Sequence, residues 1–123
     1  MWIVDEETGN VLCRQGDSGP YYIFGLPTDK DYTIYLGFQT KKRKIIGQQS
    51  LQTNKNDFVK FNVLPSLTDK LTVPANQDSE DYYIWVKLCD SNGYEDTLVI
   101  GKNKTPEDFT IITVLPKGIE GDE

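Results

Sequence analysis

The chain has 123 residues, 37% of them apolar, with 13 basic against 19 acidic side chains and no histidine. That length makes one domain with a core of its own and rules out two cooperating domains. One Ala and one Met stand against 8 Val, 10 Ile and 11 Thr, a composition that disfavours a helical bundle and suits a pleated, half-buried surface.

In chain order, a short strand is expected at Val11 to Arg14, closed by Gln15-Gly16-Asp17-Ser18-Gly19-Pro20. A second follows at Tyr21 to Phe24, closed by Gly25-Leu26-Pro27. The clearest strand runs from Tyr32 to Gln39, with Tyr32, Ile34, Leu36 and Phe38 on one face and Thr33, Tyr35, Gly37 and Gln39 on the other. Lys41-Lys42-Arg43-Lys44 then projects from a hairpin, and the return strand lies around Lys44 to Leu51. Phe58 to Leu64 points Val59, Phe61 and Val63 inward and stops at Pro65, which cannot donate to a ladder. Ser66 to Leu71 is the single helical turn, a crossover between sheets.

Tyr82 to Cys89 repeats the alternation, with Tyr82, Ile84, Val86 and Leu88 against Tyr83, Trp85, Lys87 and Cys89. Asp90-Ser91-Asn92-Gly93 follows as a hairpin signal, since Asn-Gly accepts the positive φ angles of a two-residue turn, and leads to a strand near Thr97 to Ile100. Phe109 to Leu115 is the last strand, stopped by Pro116, and the tail at 117–123 is acidic, Gly-rich and expected to be mobile. About eight strands with a turn roughly every ten residues predict an all-β antiparallel sandwich over residues 1–116.

Residues 1–61 carry 8 basic and 7 acidic groups and residues 62–123 carry 5 and 12, so the net −6 gathers in the second half. This sign excludes tight nucleic-acid binding, which needs a basic face. The N-terminus lacks the pattern of a secretory signal and no stretch approaches the ~20 apolar residues of a membrane span, so a soluble, cytoplasmically made protein with no membrane partner is expected. Cys13 and Cys89 read as free thiols; the alternative is a disulfide between sheets.

Without histidine there is no Ser-His-Asp or Cys-His nucleophile, no imidazole base and no His-containing zinc site. Glycine loops for nucleotides are also missing. Cys13 next to Arg14 is a poor nucleophile, because strand neighbours point to opposite faces. The carboxylate groups Asp5-Glu6-Glu7, Asp78-Glu80-Asp81 and Glu95-Asp96 read as solvated surface before they read as a glycosidase pair. Asp90 does not open a calcium loop, since the twelfth position is Gly101. No catalytic residue, metal or cofactor is expected.

Two features remain as candidate interface: the basic cluster Lys41, Lys42, Arg43 and Lys44, and the pair Tyr83 and Trp85 opposite the apolar face of their strand. The cluster can also serve as a solvated turn that guards a sheet edge, and core filling accounts for most of the aromatics.

The opening Arg14-Gln15-Gly16-Asp17-Ser18-Gly19, followed by a short aromatic strand, resembles the Gln-Gly-Asp-Ser/Thr-Gly start of small β-sandwich proteins from tailed bacteriophages, such as the N-terminal domain of the baseplate upper protein. The order of Phe58 to Val63, Ser66 to Leu71, Asp81 to Val86, Asn92-Gly93 and Thr97 to Gly101 extends the resemblance over most of the chain. Ser79-Glu80-Asp81 stands where that family usually has a Gly before its Tyr-x-Tyr/Trp strand. The resemblance implies a single immunoglobulin-like sandwich acting as a tail or baseplate connector or accessory module. Its expected partners are other phage tail proteins and further copies of itself, and its expected location is the virion. The rival expectation is a carbohydrate-binding module whose Tyr83 and Trp85 contact a cell-surface glycan.

Overall fold

The structure, a computed structural model, describes residues 1–98 and 109–117. Among them lie β1 (Trp2–Val4), β2 (Val11–Arg14), β3 (Gly19–Phe24), β4 (Thr33–Gln39), β5 (Ile45–Gln52), β6 (Phe58–Val63), the helical turn α1 (Pro65–Thr68), β7 (Glu80–Cys89), β8 (Glu95–Leu98) and β9 (Thr110–Leu115). A seven-stranded sheet runs β1-β2-β9-β7-β4-β5, with β8 also on β7, and a two-stranded sheet pairs β3 with β6. The expected all-β sandwich is the observed architecture.

Period-two alternation builds the core. Ile34, Leu36 and Phe38 of β4, Ile84, Val86 and Leu88 of β7, and Ile112 and Val114 of β9 share one buried cluster with Tyr21, Ile23, Val59, Phe61 and Val63 of the small sheet. Polar side chains fix the small sheet in place. The Trp2 indole N–H donates to Pro20 O at 2.8 Å, and the Tyr21 hydroxyl donates to Gly9 O at 2.5 Å. Gln49 of β5 bridges to β6, donating to Asn62 O at 2.9 Å and accepting from Leu64 N at 3.0 Å. Thr68 ties the crossover down by donating to Asp17 O at 2.6 Å.

Four details differ from the sequence expectation. β1 was not foreseen, because three residues are too few for a periodic signal. β2 and β9 pair in parallel within an otherwise antiparallel sheet. No tight turn joins them, so hairpin geometry does not dictate their direction. The strand expected from Thr97 starts at Glu95, while Val99 and Ile100 lie outside the described residues, as does most of the tail from 118 onward. Lastly, the loop after β7 is longer than a two-residue turn: Asp90 N donates to Tyr94 O, and only Gly93 (φ 90°) takes the left-handed conformation. The Asp90 carboxylate accepts the N–H groups of Asn92 and Tyr94, both at 2.9 Å, which selects a three-residue loop.

Gly37 sits directly opposite Trp85, and a Cβ added there would overlap the indole ring. Gly37→Ala is expected to cost about 1–3 kcal/mol, and most of that cost should vanish in a Trp85→Ala background, as read by a double-mutant cycle of urea unfolding.

Candidate interaction site

The outer face of the large sheet is built by the odd-numbered residues of β4 and β7. Register sets Gln39 against Tyr83, Gly37 against Trp85 and Tyr35 against Lys87. Both sequence-predicted aromatics therefore lie on the face away from the core, half-buried. Neither ring lies fully open. Phe109 stacks on Tyr83 with centroids 4.3 Å apart and planes 10° apart, and Trp85 lies across Gly37. The Trp85 Nε1 is buried and meets no hydrogen-bond partner among the described residues.

The basic cluster stands at one end of this face, on the β4–β5 hairpin. Gln39 is the last β4 residue before it, so Tyr83 and the hairpin are neighbours, and Lys41 Nζ reaches to 4.0 Å from Asp81. Asp81 itself accepts a hydrogen bond from Thr113 Oγ1 at 2.7 Å. The loop is closed by Thr40 N donating to Lys44 O at 2.8 Å and Arg43 N donating to Thr40 O at 2.7 Å. Its geometry repeats that of the Asp90–Tyr94 loop, except that Arg43 (φ 69°) occupies the left-handed position that Gly93 fills there. A side chain in that region costs about 1 kcal/mol, so the hairpin keeps a basic group where glycine would be more stable. The structure brings all six predicted residues to one sheet, two on its outer face and four at the adjoining turn.

A second surface escaped the sequence reading. On the outer face of the small sheet, Tyr22, Phe24 and Phe58 are 47%, 71% and 45% exposed and stack in a row, with centroids 6.0 and 5.9 Å apart. Phe24 pairs directly with Phe58, and Tyr22 with Lys60. The signal was legible: Ile23 and Val59 point inward, so their neighbours Phe24 and Phe58 had to point out.

Cys13 is not built for thiolate chemistry. Cys13 and Cys89 are free, and burial, with a lesser push from the Asp17 charge, raises the Cys13 thiol to about 11, which keeps it protonated at neutral pH. The best-defined ion pair lies at the other end of the sheet, where Lys30 Nζ is 2.7 Å from the almost buried carboxylate of Asp90. The hydrogen bond from Lys30, then the N–H of Tyr94, holds Asp90 below the ordinary carboxylate range, despite the opposing effect of burial.

No protein-family model and no curated protein matches the chain. A solved structure described as the periplasmic chaperone SfaE superposes with a TM-score of 0.53 at 12% identity, over 92% of this chain and 56% of that one. The chain thus spans little more than half the length of that structure, and the likeness is one of fold, an immunoglobulin-like sandwich.

Because the folded-state pKa of Asp90 is depressed, its contribution to stability is present above the unfolded Asp value of about 4 and is lost as pH falls through the folded value. Asp90→Asn should flatten this acid limb in unfolding curves taken from neutral to acid pH. Arg43→Gly should raise stability by about 0.5–1 kcal/mol, measured by denaturant titration.

Proposed function

We propose that the chain is a non-enzymatic structural module of a phage or prophage virion, a tail or baseplate connector or accessory piece that acts through protein interfaces. It would be made in the bacterial cytoplasm and reside in the virion. The observation that carries the interface reading is the Tyr22–Phe24–Phe58 row. Three stacked rings held out to water on a rigid strand pair are the anchors that a protein partner buries. The phage assignment rests on the order of motifs from Gln15-Gly16-Asp17 to Thr97-Leu98. The absence of histidine from the sequence supports the non-enzymatic part, since it removes the commonest general acid–base side chain.

A glycan-binding role draws less support. A sugar stacks on an open ring face, whereas Phe109 occupies one face of Tyr83 and Trp85 lies against Gly37.

Phe24→Ser combined with Phe58→Ser is expected to leave the melting temperature nearly unchanged and to weaken binding to a partner tail protein at least tenfold, by calorimetry. Saturable binding of host cell-wall polysaccharide, lost in a folded Trp85→Ala variant, would instead favour the glycan module.

A further inference from the structure

Five strands present an edge without a backbone partner among the described residues: β1, β3, β5, β6 and β8. Exposed edges invite pairing with another chain, and folded proteins blunt them with short length, charge, proline or cover. Four of the five are blunted in this way. β1 is 3 residues long, and β8 is 4 long and carries Glu95 and Asp96. β3 carries Pro20, whose carbonyl is taken by the Trp2 indole at 2.8 Å. The β6 edge is spanned by the Gln49 amide through Asn62 O and Leu64 N. β5 is the exception: 8 residues, Ile45-Ile46-Gly47-Gln48-Gln49-Ser50-Leu51-Gln52, with no charge and no proline. Its one irregularity is a bulge at the start, where Gln39 pairs with Ile45 but Phe38 with Gly47.

Thr53 N donates to Tyr32 O at 2.8 Å and Tyr32 N donates back to Thr53 Oγ1 at 3.0 Å, so the backbone N–H of Thr53 faces β4. Alternation from there turns the N–H and C=O groups of Gln48, Ser50 and Gln52 away from β4 and out along the edge. All three residues are exposed.

We propose that this edge pairs antiparallel with the same edge of a second copy, joining two large sheets into one across a twofold axis. Charge selects this occupant. The Ile45 end of β5 opens onto exposed Lys42, Arg43 and Lys44, beside Lys41, which leans toward Asp81. At the Gln52 end, two loops present exposed Asp29, Asp31 and Asp57, and Asp31 accepts the N–H of Asn54 at 2.8 Å to hold those loops together. Of the cations there, Lys30 is bound to Asp90 and Lys55 offsets one carboxylate. An antiparallel pair therefore lays the basic hairpin of each copy beside the acidic loops of the other, while the uncharged centre, Gln48 to Ser50, sets no like charges face to face. A parallel pair would align basic with basic. The strained, basic Arg43 at the hairpin fits the same role.

This inference deepens the protein-interface reading and rests on that part of it alone. It is tested on the purified chain without any tail protein, so it can fail while the aromatic-row reading stands, or the reverse. Light scattering over a concentration series should show the mass rising from 14.0 kDa toward twice that value. Ser50→Pro removes an N–H that β4 does not use, and should weaken association tenfold or more with an unchanged circular dichroism spectrum. If that variant is unfolded, Ser50→Lys provides the same readout by placing two like charges at the seam. Lys42→Glu with Lys44→Glu should also weaken association, and added salt should weaken that of the unaltered chain. A mass that stays at 14.0 kDa to the highest attainable concentration overturns the proposal. So does self-association that both Ser50 variants leave intact, which would move the contact to another surface such as the Tyr22–Phe24–Phe58 row.

Discussion

Strand β7 holds backbone partners along both edges: β4 from Tyr83 to Cys89 on one side, and β9 then β8 in succession on the other. From Asp81 to Cys89 its residues alternate without a break, so Tyr82, Ile84, Val86 and Leu88 enter the core while Tyr83, Trp85 and Lys87 face out. A shift of one residue would exchange the two sets, driving Lys87 inward and four large apolar side chains into water. The register of the central sheet, the composition of the core and the identity of the outer face all follow from this one alternation. Gly37 locks it further, because the Trp85 ring fits only where the facing strand lacks a side chain.

The two sheets differ in width, and that difference shapes the surface. A two-stranded cover cannot span a seven-stranded sheet, and it lies nearest the outermost strand β5, where Gln49 bonds to the β6 backbone. Its inner side is closed there: Leu67 packs beneath Gly47, and Gln49 reaches across to the backbone of β6. Leu51, though inward by alternation, stays 37% exposed. What stays open on β5 is its backbone edge, with Gln48, Ser50, Leu51 and Gln52 exposed. The narrow cover carries its own outward rings, Tyr22, Phe24 and Phe58.

Strands β4, β6 and β7 were legible because each has at least three apolar residues in strict alternation, and one buried face is enough to set such a pattern. β1 was not legible, since its three residues gain their partner only when β2 lies beside them. The loop after Leu88-Cys89 was placed correctly but typed wrongly. The Asn92-Gly93 pair carries a local preference, and the Asp90 side chain, by accepting two N–H groups, outweighs it. For the candidate site, alternation placed Tyr83 and Trp85 on the face opposite Ile84, Val86 and Leu88, and the run of four charges after a strand placed Lys41 to Lys44 at a turn; that the first face is the outer one was decided by packing. That Phe109 covers Tyr83 was not legible, because it joins residues far apart in the sequence.

Composition and periodicity determined the all-β class, the faces of the long strands and the lack of imidazole chemistry, because these depend on residue type and on a repeat of two. Which strands lie side by side, and which are left at an edge, was decided by packing over long sequence separations. The parallel pairing of β2 with β9 and the open edge of β5 are of that kind. The same net −6 shows the difference. In the chain it divides between first and second halves, whereas in the fold the charges that matter are the basic hairpin and the acidic loops at opposite ends of one strand. Sequence distance orders the first division, and the direction of β5 orders the second.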